Sequence, residues 1–196
     1  MDGFQQRREQ KKHAILETAT TLFMKHGIQK VPVSEIAKKA GVSQVTIYNY
    51  FDNKHTLVHA CFLYYVDQAL LEFERIVESD MPFPDKIKQI IFNKKETSQI
   101  NEEFYHYLMK EYTSGETNYI EKIYVEKAVP YFTQLFEEGK KLGYIDPNLS
   151  QEAILFYIKM FKDTMQQEEV YKRVLPLTED ITNIFFYGLF GKREND

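Results

Sequence analysis

The residues with most chemistry to offer sit in one short run, Gln44-Val45-Thr46-Ile47-Tyr48-Asn49-Tyr50, followed by Lys54. The Gln44 amide can hydrogen-bond a base edge, and Val45 and the Thr46 methyl can meet a thymine methyl. The Thr46 hydroxyl can reach a base or a phosphate. Tyr48 and Tyr50 bring phenolic hydroxyls to a sugar-phosphate backbone, and Asn49 adds a polar group on the groove side. Lys54 supplies a cation at the start of the next helix. Together these are the groups a helix needs to enter a DNA major groove by its N-terminal end. Val45 has a second reading as scaffold, and the Tyr48 ring a second use in packing. Ile47, Phe51 and Leu57 are assigned to packing alone.

Other chemistries lack their partners. His55 and His59 have the i, i+4 spacing of a two-histidine metal face, but no third ligand accompanies them. His106 and the single cysteine, Cys61, read as structural. There is no HExxH, no phosphate-binding glycine loop and no paired nucleophile and base. No enzyme activity, metal or cofactor is therefore expected. One cysteine cannot form an intramolecular disulfide, which fits a reducing cytoplasm. The first 13 residues are polar throughout and give no signal peptide, and no apolar run approaches the ~18 residues of a membrane span.

The reading residues need a scaffold, and the preceding sequence supplies one. Ile15, Leu16, Ala19, Leu22 and Phe23 form a helical stripe over residues 8–26, with Gly27 as a C-terminal stop. Pro32 opens a second, two-turn helix, with Ser34 as an alternative cap; Ile36, Ala37 and Ala40 face inward. Gly41 breaks it, Val42 fills the turn and Ser43 caps the third helix, Gln44 to about Tyr50. Two short helices joined by Ala-Gly-Val-Ser form a helix-turn-helix pattern. A long helix over 54–78, capped by Asp52 or Asn53, ends at Ser79-Asp80-Met81-Pro82-Phe83-Pro84. Five more are expected, at 84–97, 101–113, 118–142, 150–167 and 178–190. Pro130 predicts a kink or break in the third of these. With few glycines and prolines, the fold class is all-α, with about nine helices.

Charge divides the chain as the motif does. Residues 1–57 hold nine Lys and Arg against five Asp and Glu; residues 58–196 hold 16 against 24. A basic quarter ahead of an acidic body fits a protein that meets phosphate at one end only. Arg7, Arg8, Lys11 and Lys12 lead into the first helix. They lie along a phosphate strand, reach a minor groove, or fray in solvent.

From Ile15 to Leu57 the pattern Ile15-Leu16, Ala19, Leu22-Phe23, Gly27, Ile36-Ala37, Ala40-Gly41-Val42-Ser43, Thr46-Ile47-Tyr48, Tyr50-Phe51, Lys54 and Leu57 resembles the TetR family of bacterial regulators. The resemblance implies a DNA-binding head over 1–57 and a helical ligand-binding and dimerisation domain over 58–196. It implies DNA contacts for Gln44, Val45, Thr46, Tyr48, Asn49, Tyr50 and Lys54, and adds Ser34 as a position that reaches a base. The family carries Thr or Ser where Pro32 stands, so a hydroxyl contact to phosphate is missing here, with Lys30 as its candidate replacement.

The resemblance further implies a homodimer that responds to a small molecule. Ile154, Leu155, Ile158 and Phe161 with Ile181, Ile184, Phe185 and Leu189 are apolar faces that suit a four-helix dimer interface, or packing within one chain. Phe104, Tyr105, Tyr107, Leu108 and Tyr112, with Tyr124, Tyr131, Phe132, Tyr157 and Met160, suit an aromatic pocket. Glu103 or Glu111 would add a carboxylate for a flat or cationic lipophile. Aromatic stripes at this spacing also serve as plain core. The expected function is a homodimeric repressor released from a palindromic operator by a lipophilic ligand. The alternative is a helix-turn-helix regulator governed by a protein partner, or by no ligand.

Overall fold

The computed structural model describes residues 3–92, 101–113 and 124–165, with isolated positions between 170 and 188. Among the described residues there are eight α-helices and no strand: α1 Gly3–His26, α2 Val33–Lys39, α3 Gln44–Phe51, α4 Lys54–Glu78, α5 Phe83–Phe92, α6 Glu102–Thr113, α7 Val129–Lys141 and α8 Gln151–Met165. No helix among them is long and apolar enough to cross a membrane. The all-α expectation holds. Helix α1 begins five residues earlier than its apolar stripe announced. The helix expected over 118–142 is instead a π-helical turn, Tyr124–Ala128, followed by α7. Pro130 stands at the start of α7, where its missing N–H is least harmful. Of the helix expected at 178–190 only Asp180, Ile181, Ile184 and Gly188 are described, each helical, and the end of the one at 84–97 lies outside the described residues.

The chain divides into two compact units. One comprises Met1–Glu72 with Lys94–Tyr112, the other Phe73–Asn93 with Thr113–Asp196. In the first, Ile15, Ala19, Leu22 and Phe23 of α1 are buried, as are Ile36 and Ala37 of α2, Ile47 and Phe51 of α3, and Leu57, Val58, Cys61 and Phe62 of α4. The Phe23 and Phe104 rings stack at 6.4 Å, and Tyr65 meets Phe104 edge-on at 6.5 Å. Gly27 ends α1 at φ 85°, and a Cβ there would stand 2.6 Å from Glu103 Oε2 and 2.8 Å from Asn101 Oδ1. Only glycine fits that approach. Burial pushes the Cys61 thiol up to about 12, with the Thr20 hydroxyl pulling weakly the other way. Cys61 should therefore resist thiol reagents at mildly alkaline pH in the native protein and react promptly in denaturing urea. Native labelling at the unfolded rate would refute this.

In the second unit, Val77, Phe83, Ile87, Leu135, Phe136, Ile145 and Ile154 form one apolar core. Gly139 lets the layers close: a Cβ there would come within 2.6 Å of Phe83 and 2.7 Å of Ile145. Beside this core the Lys86 ammonium bonds both Glu138 oxygens, at 2.8 and 3.0 Å, and the Val77 carbonyl at 2.9 Å. After α7 the chain turns at Gly143, φ 74°, and the Ala153 N–H donates to Ser150 Oγ at 3.1 Å to cap α8.

Candidate nucleic-acid interface

Helix α3 is held by its ends and one face, leaving the other face free. At its start the Thr46 N–H donates to Ser43 Oγ at 3.0 Å, satisfying a donor that the first turn leaves open. The two hydroxyls of Ser43 and Thr46 also pair, at 2.8 Å, so the Thr46 hydroxyl is shared with the cap. Ile47 and Phe51, four residues apart, are the buried anchors. Gln44, Val45, Tyr48 and Asn49 are all exposed. Val45 is 67% exposed and Tyr48 43%. An apolar side chain this exposed, set among polar ones, does not fill a core.

The turn before α3 is set by Gly41 at φ 67°, where the Val42 N–H reaches back to the Ala37 carbonyl at 3.0 Å. Helix α2 starts from Pro32 at φ −76° and ψ 150° with no side-chain cap, as its lack of a hydroxyl requires. Ser34 is exposed in the first turn of α2. Lys30 lines a polar recess of about 360 Å³ with Lys25, His26, Glu35 and Asn101. The Gln29 N–H, in the same stretch, donates to both Glu103 oxygens at 3.2 Å. Glu103 thus serves the turn between α1 and α2.

The joint after α3 is tight. The Asn53 N–H donates to the Phe51 carbonyl at 2.6 Å, closing a γ-turn around Asp52 at φ 62° and ψ −54°. Asn53 then caps α4, accepting from the Thr56 N–H at 3.0 Å. The Lys54 ammonium, next in sequence, lies 6.0 Å over the Phe23 ring. Tyr50 is half-buried; its hydroxyl donates to the Arg8 carbonyl at 3.2 Å, and the Arg8 guanidinium sits 5.8 Å from its ring centre. The contact joins residues 42 positions apart and has no periodic signature in the sequence, although both side chains are of types that bind nucleic acid.

The residues expected to line a pocket fall in both units. Phe104 and Leu108 are buried and Tyr107 half-buried in the first unit. Phe132 belongs to the second, packed on Phe73 at 4.7 Å and Phe136 at 6.0 Å. In that unit Tyr131 donates to Glu74, and this bond leads in holding its phenol up at about 12. Tyr157 and Met160 are exposed on α8. Of the expected dimer residues, Ile154 is taken into the core, Ile181 is half-buried and Ile184 is 68% exposed. The side chains of Glu111, Tyr124, Ile158 and Phe161, and the whole of Phe185, lie outside the described residues. Among the described residues no three His, Cys, Asp or Glu side chains gather as a metal site.

Comparison with known proteins bears on the same segment. Residues 15–61 match the family model described as bacterial regulatory proteins, tetR family. The HTH-type transcriptional regulator YhgD of Bacillus subtilis (strain 168) is 27% identical over 165 residues, 80% of this chain and 85% of that one. The fatty acid metabolism regulator protein of the same organism is 30% identical over 77 residues, 39% of this chain and 40% of its own length. Among solved structures, the fatty acid degradation regulator FadR from Bacillus halodurans superposes with a TM-score of 0.58 at 22% identity. That match covers 91% of this chain and 99% of the other. At that identity it speaks for the fold.

Proposed function

Through residues 15–61 this chain belongs to the tetR family of bacterial regulatory proteins, and on that premise we propose that it is a homodimeric cytoplasmic repressor, released from a palindromic operator by a small lipophilic ligand. DNA-binding transcriptional regulation is the family's activity. The observation that carries the reading is the exposed face of α3, Gln44, Val45, Tyr48 and Asn49, on a helix fixed by Ser43, Ile47 and Phe51. In this reading Gln44, Val45, Thr46 and Asn49, with Ser34, face base edges, while Tyr48, Tyr50 and Lys54 serve the phosphate backbone. Residues 1–57 act as the head and 58–196 as the sensing and dimerising part. The exposed apolar side chains Phe156, Met160 and Ile184 support a surface that a second copy covers.

The effector enters as a ligand with different affinities for the DNA-bound and DNA-free conformations, since equal affinity would shift nothing. Phe104, Tyr107, Leu108, Glu111, Tyr124, Phe132, Tyr157 and Met160 are the residues proposed to meet it. The relatives named for fatty acid metabolism make acyl compounds the first class to titrate.

Selection of genomic fragments on the purified protein tests the reading. A palindrome with half-sites about one helical turn apart supports it. Recovery of random fragments only would count against it. Substitutions separate the roles within the face. Gln44→Ala should change base preference at one position, by about 1–3 kcal/mol. Tyr48→Phe and Lys54→Ala should weaken all sequences alike, and Lys54→Ala should lower the salt slope by about 1. Equal loss on operator and random DNA for Gln44→Ala would remove Gln44 from the reading positions.

A further inference from the structure

Basic residues at the start of α1 stand beside the recognition helix without belonging to it. Arg7, Arg8, Lys11 and Lys12 lie inside α1, so they are held on a helix and are not a trailing arm. The buried stripe of α1 begins at Ile15 and continues through Ala19, Leu22 and Phe23. Stepping back from Ile15 along that stripe by three, four and seven residues gives Lys12, Lys11 and Arg8. The face of α1 that is apolar over the head therefore becomes basic toward its N-terminus. This basic stretch is fixed against the C-terminal end of α3: the Tyr50 hydroxyl donates to the Arg8 carbonyl, and the Arg8 guanidinium lies over the Tyr50 ring. Arg8 and Lys11 are exposed.

We propose that Arg8, held in place by Tyr50, and Lys11, three residues on along α1, grip phosphates of the DNA strand flanking the half-site that α3 reads. The occupant follows from charge and place. The basic stretch adjoins the end of the only surface assigned to nucleic acid, and the last turn of a groove-inserted helix lies nearest the rim, where phosphates run. An arginine whose backbone carbonyl accepts from the Tyr50 hydroxyl and whose guanidinium lies over the Tyr50 ring loses less freedom on meeting a phosphate than one on a frayed arm. Tyr50 then positions Arg8 in addition to its own place at the phosphate backbone.

The proposal rests on the DNA-binding reading, and its test keeps the two apart. The full chain is titrated by fluorescence anisotropy into a random-sequence duplex and into a selected operator, at several salt concentrations. Arg8→Gln or Lys11→Gln should lower the slope of log affinity against log salt by about 0.9 for each head engaged, equally on both duplexes. Arg8→Lys should keep the slope. Lys11→Gln alters an exposed side chain only, so it reports even if Arg8→Gln lowers the melting temperature. Unchanged slopes in both Gln variants, with binding intact, overturn the proposal. A loss confined to the operator does so too, since it would mean base reading in a minor groove. Failure of the wild-type chain to bind either duplex removes the DNA-binding reading itself.

Discussion

Replacing Phe23 with alanine should destabilise the protein by about 3–5 kcal/mol, the range for emptying a phenylalanine site in a packed core. The ring is fully enclosed, stacks with Phe104 of α6 at 6.4 Å and carries the Lys54 ammonium 6.0 Å above it. Helices α4 and α6 therefore lose a shared neighbour at once, and α1 loses a buried anchor. The urea midpoint should fall, and Cys61, sealed in the same unit, should become reactive in less denaturant. DNA affinity should fall further than the population of folded protein explains, because Lys54 loses the ring over which it rests. Phe23→Leu should recover most of the stability. A midpoint shift under about 1 kcal/mol for Phe23→Ala would mean that the surrounding side chains collapse into the gap and that Phe23 is not a keystone of this core.

Removing the Glu138 carboxylate should cost about 3 kcal/mol, the lower end of the range for orphaning one member of a buried ion pair. Lys86 is almost wholly buried, at 4% exposure, and two of its three acceptors are the oxygens of Glu138. Glu138→Ala leaves the ammonium with the Val77 carbonyl alone. Lys86→Met should cost less, because Glu138 is partly exposed and its freed carboxylate can turn to water. Lys86→Met combined with Glu138→Leu should be more stable than Glu138→Ala, since an apolar pair needs no compensation. Denaturation midpoints of the wild type, Lys86→Met, Glu138→Leu and the variant carrying both give a double-mutant cycle. A cycle with no coupling energy would show that the pair contributes nothing beyond its separate side chains.

The recognition helix was legible because local rules decide it. Ser43 is a cap by residue type, Gly41 a turn by its conformational freedom, and Ile47 and Phe51 an inward pair by spacing. Asn101 and Ser150, at the starts of α6 and α8, accept from backbone N–H groups by the same residue chemistry. Local rules do not reach pairs distant in sequence. Lys86 and Glu138 are 52 residues apart, each with the appearance of a solvated charge, and nothing in the periodicity of α5 or α7 marks them as partners. Glu103 looked like a carboxylate for a pocket, yet its oxygens are taken by a backbone N–H in the turn after α1. Aromatic stripes carry a similar ambiguity. Phe104 and Phe132 have the same helical spacing from their neighbours, and the pattern does not say which compact unit each joins. Pro130 announced an irregularity, but its form, a π-helical turn ahead of α7, depends on packing.

The γ-turn at Asp52 has a mechanical meaning. A linker of several residues has many soft torsions, and relative motion of the helices it joins dissipates in them. Here one residue separates the last turn of α3 from the cap of α4, and a 2.6 Å hydrogen bond across it fixes its backbone. The joint has almost no slack. When α4 turns about its axis, the recognition helix must turn with it, or the hydrogen bond must break. Lengthening this joint by a glycine would be the equivalent of cutting a drive shaft: α3 and α4 could each remain folded while the angle at which one presents the other is no longer set.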